Sequence, residues 1–288
     1  MCPRLTAAPS ATTGIRRGRH VFARLLLGSV LVATGWIAGP QAACASSAVA
    51  APPCARPLYL TFDTGHMGVA RLVADTLRAQ GVRATFFLAH ERTLEGGGSL
   101  DDGWAPWWRE LAQAGHRLAS HTFDHVYWLA DRGDGGFTVR ASAGPDQGVR
   151  QNWTAARYCA EVERSQARIR QMTGQEPLPL FRAPGGKTSP ALLQAAQACG
   201  YQHVGWSAAG FLGDELPSDR FPNERLLRQA LDRIQPGDIL VAHLGIWSRQ
   251  DPWAPAVLAP LLQGLKARGF CFATVDQHPR YGRSHPLP

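Results

Sequence analysis

The chain has 288 residues, of which 45% are hydrophobic, and its formal net charge is +8. This length and apolar content suffice for one large domain with a sizeable core. Residues 1–50 hold five arginines and no acidic residue, so a charge of only +3 is left for the rest of the chain. Nucleic-acid binding therefore loses its main support, and we expect no nucleic-acid partner.

The first fifty residues have the pattern of an export signal. Arginines precede an apolar run over 25–38, and A-x-A cleavage sites follow at 43–45 and 48–50. The run is too short to favour a permanent membrane span. We therefore expect a signal peptide and leader over 1–50, a periplasmic or secreted protein, and no stable membrane span after processing. A lipoprotein cleavage site, a twin-arginine signal and a buried helix are the alternatives.

Four cysteines, Cys54, Cys159, Cys199 and Cys271, follow this leader. An even number suits disulfides in an oxidising compartment, and four cysteines allow three pairings. Cys54 precedes the first predicted strand and Cys271 lies in the last, which are neighbours in a closed barrel. This favours a Cys54–Cys271 bond, with small buried thiols as the alternative.

From Arg56 on, strand-like and helix-like segments alternate in chain order. Apolar runs predict strands over 58–62, 84–88, 117–120, 178–181, 203–206, 239–242 and 270–275. Apolar residues at helical spacing predict helices over 69–77, 107–114, 156–172, 189–199, 223–234 and 256–267. About seven β/α units indicate an α/β fold, a parallel barrel formed by one domain over 56–280.

Two stretches interrupt this alternation. Residues 94–103 are rich in Gly and Asp, and residues 131–151 form a long Gly/Asp/Ser segment without periodicity. Loops of that length inside a compact domain are usually functional or disordered. Both leave the face of the barrel where strands end, so we expect either walls over a site or flexible insertions.

Polar side chains follow several predicted strands at the point where each strand ends. They are Asp63, the pair His121 and His125, Arg182 and His243. The carboxyl ends of barrel strands open on one face, so these groups should converge. A carboxylate there can accept a proton from water, and two histidines four residues apart on a helical turn can bind one divalent ion.

Arg182 cannot lose its proton, so it would hold and polarise the Asp63 carboxylate, or close the barrel rim as a salt bridge. His243 ends an apolar strand, where a lone histidine is often only a core residue. Facing Asp63 across a barrel mouth, it becomes a candidate general acid.

These residues resemble the polysaccharide deacetylase family, which is the NodB homology domain or carbohydrate esterase family 4. The resemblance covers nearly the whole chain after the leader. Its motifs are T-F-D-x-G at 61–65, H-T-x-x-H at 121–125, R-x-P-x-G at 182–186 and an L-x-H-like 241–243.

The resemblance implies a distorted (β/α) barrel that removes acetyl groups from glycans with a divalent metal. It implies that His121 and His125 bind the metal, and that Asp63 is the general base. It also implies that Arg182 orients Asp63 and that His243 is the general acid.

The chain departs from the family pattern at two places. Most members have a second aspartate, the third metal ligand, where this chain has Thr64. His66 could supply the missing donor, which gives a three-histidine site that favours Zn²⁺ or alternatively Co²⁺. Asp63 could instead move onto the metal, which would weaken it as the base. The family also has an aspartate near the catalytic histidine just after Trp206, and here only Asp214 follows. We therefore expect a His243 with no carboxylate partner and reduced basicity.

Tryptophans near the strand ends suggest a saccharide cleft, because flat indole faces stack on sugar rings. We predict substrate contacts from Trp128 and, in the R-x-P-x-G motif, from Pro184 and Gly185. The predicted function is an exported, metal-dependent deacetylase that hydrolyses acetamide or acetyl ester groups on a polysaccharide or peptidoglycan. The alternatives are an impaired, glycan-binding barrel and a metal-independent hydrolase of a non-sugar C–N bond.

Overall fold

The computed structural model describes residues 54–282, so the predicted leader lies outside the described residues. Ten strands are present: β1 (Pro57–Asp63), β2 (Thr85–Leu88), β3 (Arg117–Ser120), β4 (Val126–Asp131), β5 (Phe137–Ala141), β6 (Arg150–Trp153), β7 (Leu180–Phe181), β8 (Gln202–His203), β9 (Ile239–His243) and β10 (Cys271–Phe272) within that range. The α-helices of the same range are α1 (Ala70–Ala79), α2 (Ala105–Gln113), α3 (Ala155–Thr173), α4 (Pro190–Ala198), α5 (Asn223–Arg233) and α6 (Ala259–Ala267).

Seven strands form the main sheet, and all of its strand pairs are parallel. The order is β10-β1-β2-β3-β7-β8, with β9 paired to β1. An isolated parallel bridge between Phe211 and Val241 joins the segment after β8 to β9, so the sheet curls back on itself. The predicted distorted barrel of about seven parallel strands is confirmed.

The central strands are buried on both faces, as parallel strands covered by helices must be. Every residue of β2 and all but the first of β1 are buried. On one side Phe62 stacks on Phe86 at 5.4 Å between ring centroids, and the edge of Trp108 packs against Phe86 at 6.2 Å. Trp104 and Trp107 are buried in the same core, so these tryptophans stabilise the barrel.

Strands β4, β5 and β6 form a separate antiparallel sheet. The expectation of a long loop over 131–151 is therefore wrong in part, because β5, the last residue of β4 and the first two residues of β6 fall within the segment. In β5, Phe137 and Val139 are buried while Arg140 is exposed, which is the alternation of a half-buried strand. The glycines and aspartates that suggest a loop belong to the connections between these short strands.

Two disulfides link the four described cysteines. Cys54 bonds to Cys271 across 217 residues, with 6.0 Å between the Cα atoms, as the sequence predicts. The second bond joins Cys159 in α3 to Cys199 after α4. Within residues 54–282, no helix has the length and apolar character needed to cross a bilayer.

Candidate active site at the carboxyl ends of the strands

A cavity of about 690 Å³ opens at the carboxyl ends of the main-sheet strands. Asp63 is the last residue of β1 and His243 the last of β9, and the two are register partners in the parallel pair. Both line the cavity, together with His121 and His125. The strand ends therefore bring together polar groups that lie up to 180 positions apart in sequence, as 63 and 243 show.

Arg182 follows β7 and is fully buried. Its Nη1 donates to Asp63 Oδ1 at 2.7 Å and to Thr61 Oγ1 at 2.8 Å. Its Nε and Nη2 donate to the carbonyls of Val204 and Gly205. The guanidinium is thus bonded to two separate segments, β1 and the residues just after β8, and cannot move without breaking several bonds.

The charge of this arginine sets the state of the carboxylate. Burial alone would raise the pKa of Asp63, but Arg182, with contributions from His121 and His243, more than offsets burial. The result is a lowered pKa, so Asp63 is ionised and can accept a proton.

The two histidines of the H-T-x-x-H motif lie in a turn after β3, not on the helical turn that their spacing suggests. Thr122 and His125 have φ values of 59° and 49°, and this backbone brings the imidazole centroids to 4.8 Å. His121 Nδ1 lies 2.9 Å from the carbonyl oxygen of Arg182, and His125 Nδ1 contacts the hydroxyl of Ser142. In each ring this leaves Nε2 for a ligand.

His121 is a neutral imidazole at neutral pH. Burial lowers its pKa to about 4, although the nearby Asp63 carboxylate opposes that shift. Its Nε2 lies 3.5 Å from Asp63 Oδ2. A neutral imidazole with an anchored Nδ1 is the form that binds a divalent cation.

His243 has a carboxylate partner, so the expectation of an unpartnered imidazole is wrong. Both oxygens of Asp214 lie 3.1 Å from His243 Nδ1, and Asp214 also accepts the backbone N–H of His243 at 2.6 Å. Burial disfavours the charged imidazole, but Asp214 outweighs it and raises the pKa of His243 to about 10. The aspartate comes from further along the chain than the family pattern suggests.

His66 does not join the histidine pair. Its ring lies against Gly68 and Gly245, where no Cβ could fit, and its Nδ1 accepts the N–H of Gly68 at 3.0 Å. It lines a small separate cavity beside Asp214 and is not part of the large cavity's lining. The position of this ring therefore does not meet the expectation that His66 replaces the missing aspartate.

Thr64 Oγ1 accepts the N–H of Ala89 at 3.0 Å and donates to Glu91 Oε2 at 2.6 Å. Glu91 also lines the large cavity. Among residues 54–282, no three His, Cys, Asp or Glu side chains stand in the arrangement of a complete metal site. The two imidazoles have the donor chemistry that a divalent ion such as Zn²⁺ prefers, and a third donor must come from nearby.

The predicted substrate contacts are only partly in the cavity. Gly185 lines it, with a φ of 62° and the Tyr127 ring so close that a Cβ would lie 2.9 Å from it. Pro184 is buried and is not among the lining residues. Trp128 packs on the core under the small sheet, and its Nε1 donates to Asp131. Its neighbour Tyr127 lines the cavity, because adjacent strand residues face opposite sides.

Among the cavity residues that the sequence analysis did not identify are Glu91 and Tyr127, and it assigned no role to Asp214. Glu91 lies three residues after β2, so its position beyond a buried strand was the available signal. Asp214 and Tyr127 had no comparable signal, because their contacts depend on a loop path and on which face of β4 turns inward. Trp206 and the exposed Trp247 add two indole surfaces to the lining.

Comparison with known proteins agrees with this geometry. A family model described as polysaccharide deacetylase matches residues 50–204. A chitooligosaccharide deacetylase of Azorhizobium caulinodans is 28% identical, over 74% of this chain and 90% of that protein. A peptidoglycan-N-acetylglucosamine deacetylase of Bacillus cereus is 27% identical, over 78% and 88% respectively.

Solved structures show the same fold. A family 4 acetyl xylan esterase from Clostridium thermocellum, in complex with a cobalt ion, has a TM-score of 0.59 and 22% identity over 77% of this chain and 89% of its own. The chain belongs to the polysaccharide deacetylase family and is a hydrolase that acts on carbon–nitrogen bonds, as the sequence predicts.

Proposed function

We propose that this protein is an exported, metal-dependent deacetylase that hydrolyses acetamide or acetyl ester groups on a polysaccharide or peptidoglycan. The observation that carries the proposal is the cavity in which an ionised Asp63 faces two anchored imidazoles and a protonated His243. The relatives named above, which act on chitooligosaccharides and peptidoglycan, support the substrate class.

His121 and His125 would hold the divalent cation through Nε2, because Nδ1 of each ring is already engaged. When bound, such an ion polarises the acetyl carbonyl and makes a water molecule more acidic. The nitrogen donors favour Zn²⁺, with Co²⁺ as the alternative. The carbonyl of Arg182 and the hydroxyl of Ser142 fix the direction in which each imidazole points.

Asp63 takes the proton of the attacking water. Arg182 keeps this carboxylate ionised and fixes one of its oxygens, so the other is available for the proton. His243 then donates its proton to the leaving amine or alkoxide, and Asp214 holds the imidazole in its protonated form and orientation. The two proton transfers start from groups already in the required state.

The cavity also has features that suit a sugar chain. Tyr127, Trp206 and Trp247 give it aromatic surfaces, and Trp247 is 59% exposed at the surface. Aromatic faces stack on sugar rings, so these residues would position a saccharide over the catalytic groups. Export would be carried by the arginine-rich apolar leader of residues 1–50, which lies outside the described residues.

The test measures acetate release from acetylated chitooligosaccharides and from peptidoglycan. We expect release that a chelator abolishes and that added Zn²⁺ or Co²⁺ restores. The His121→Ala/His125→Ala double variant is the matched control and should be inactive under every condition. Turnover in that variant would support a metal-independent hydrolase instead. Glycan binding that calorimetry detects without turnover, and that a chelator does not change, would support a glycan-binding barrel. Of the two sequence features that suggested this alternative, only Thr64 remains.

A further inference from the structure

Position 64 poses a question about the cation that this cavity would hold. Thr64 is uncharged and its hydroxyl is already occupied, since it accepts the N–H of Ala89 and donates to Glu91. Because the Ala89 amide fills the accepting side, the hydroxyl hydrogen points at the Glu91 carboxylate. A carboxylate thus stands next to the residue that replaces the family's aspartate.

Hydrogen bonds of its backbone groups fix the position of Glu91. Its N–H donates to Ser99 Oγ at 3.0 Å, and its carbonyl accepts the N–H of Ser99 at 2.8 Å. Ser99 Oγ in turn donates to the carbonyl of Ala89. The segment that carries Glu91 is therefore fixed at two neighbouring points, and only the side chain has freedom to turn.

Other donors near the pair are less suitable. Asp63 is bound to Arg182 through Oδ1 and is required as the base. Asp101 accepts the N–H of Gly98 at 2.6 Å, and His66 lies in another cavity. Glu91 Oε2 bonds to Thr64, whereas Oε1 has no hydrogen-bond partner among residues 54–282. One oxygen can thus stay with Thr64 while the other serves a ligand.

Glu91 also shares the cavity with both imidazoles. A carboxylate added to two imidazoles makes a common three-ligand set for a catalytic divalent ion.

We propose that Glu91 supplies the third protein ligand of the cation held by His121 and His125, and that Thr64 is the positioning residue which holds Glu91 there. The inference rests on the proposed function. Because no complete ligand set stands among residues 54–282, the Glu91 side chain would rotate to bring Oε1 to the cation while Oε2 keeps its bond to Thr64. The carboxylate ligand would thus come from the loop after β2, whereas the family has it directly after β1.

The experiment measures cation binding by the full chain after export, with its metal removed by chelator. Zn²⁺ affinity is read by competition with a chromophoric chelator, and the environment of Co²⁺ by its visible absorption. Loss of a residue that orients a metal ligand typically weakens metal binding by about 10–100-fold. We therefore expect at least ~100-fold weaker Zn²⁺ binding in Glu91→Gln and about 10-fold weaker binding in Thr64→Val.

A rescue variant separates loss of a ligand from damage to the fold. In Glu91→Gln/Thr64→Asp, a carboxylate returns at the position where the family has it, and Zn²⁺ affinity should recover to within about tenfold of the unmodified protein. Glu215→Gln removes another carboxylate that lines the same cavity and should leave affinity and spectrum unchanged. His66→Ala should also leave them unchanged.

The inference is overturned if Glu91→Gln binds Zn²⁺ as tightly as the unmodified protein with the same Co²⁺ spectrum. It is equally overturned if His66→Ala or Glu215→Gln weakens binding as much, if the double variant gains nothing, or if the unmodified chain binds neither ion. A different result would contradict the proposed function alone. If cation binding depends on Glu91 but no acetate is released from any glycan, the protein is not a deacetylase and Glu91 is still a metal ligand.

Discussion

Two buried carboxylates flank the cavity, and their partners give them opposite tasks. Asp63 is paired with an arginine, a group that stays charged at any pH of interest. Asp214 is paired with His243, a group that can gain or lose its proton. The first pair therefore keeps a carboxylate ionised, and the second keeps an imidazole protonated.

This difference assigns the acid and the base. The pKa of Asp63 is lowered because Arg182 and the protonated His243 overcome the effect of burial. The pKa of His243 is raised to about 10 because Asp214 overcomes the same effect. At neutral pH the ionised Asp63 is therefore a proton acceptor and the protonated His243 a proton donor in the same cavity, which is how neighbouring groups divide acid and base work at a single pH.

The largest effect is expected from Arg182→Met, which removes the partner of Asp63. It leaves Asp63 buried without a partner, so its pKa rises and the base is protonated at neutral pH. We expect a fall of about 10³-fold in kcat/KM for acetate release and a loss of about 3–5 kcal/mol in the free energy of unfolding in urea. Arg168→Met, which removes a guanidinium bonded to Leu100 and Asp102, is the control and should keep its activity. Activity within tenfold of the unmodified protein would show that Asp63 needs no permanent charge beside it.

Asp214→Asn tests the pairing of Asp214 with His243 through the pH dependence of activity. The raised pKa keeps His243 protonated up to about pH 10, so kcat/KM should fall only as the pH rises through that value. Without the carboxylate, burial dominates and the pKa drops to about 6.5 or lower, which costs about 30-fold in activity at pH 8 and far less at pH 5.5. If kcat/KM falls at the same alkaline pH in Asp214→Asn as in the unmodified protein, His243 is not the general acid.

The same substitution has a consequence for stability. A raised pKa in the folded state contributes stability that is fully present below about pH 6.5 and is lost as the pH rises through about 10. The difference in unfolding free energy between the unmodified protein and Asp214→Asn should therefore shrink across this interval. Urea unfolding at pH 6 and pH 10 measures it.

The smallest effect is expected for Thr61→Val. Its hydroxyl accepts from Arg182 Nη1 and donates to the carbonyl of Leu240, so it supports the arginine without touching Asp63. Valine has nearly the same shape, and Arg182 keeps its bond to Asp63. We expect a loss of about 1–2 kcal/mol in unfolding free energy and less than a tenfold change in kcat/KM. A 100-fold loss of activity would mean that this hydroxyl has a larger part in holding the pair.

The main features of the fold follow from the sequence because they depend on local signals. Buried apolar runs mark β1, β2 and β9, and a polar residue at the end of such a run must lie at the mouth of the barrel. This is why Asp63 and His243 could be placed together. The short strands β5 and β6 gave no such signal, since their burial comes from pairing with β4 and packing on the helices.

The finer features of the site depend on contacts between distant segments. Asp214 meets His243 only because the chain between β8 and β9 returns along β9, which the bridge at Phe211 shows. His66 is turned away because its N–H bonds to the carbonyl of Gly245 and its ring fills the space beside that glycine. Neither the spacing of residues nor their type contains this information.

The bond between Cys54 and Cys271 makes a covalent ring of almost the whole described domain. A protease that cuts one exposed turn inside this ring, such as the connection around Gly148, opens the ring without releasing a fragment. The half that carries Asp63 then stays attached to the half that carries His243. In surroundings rich in proteases, a single nick therefore leaves both halves of the catalytic machinery on one molecule.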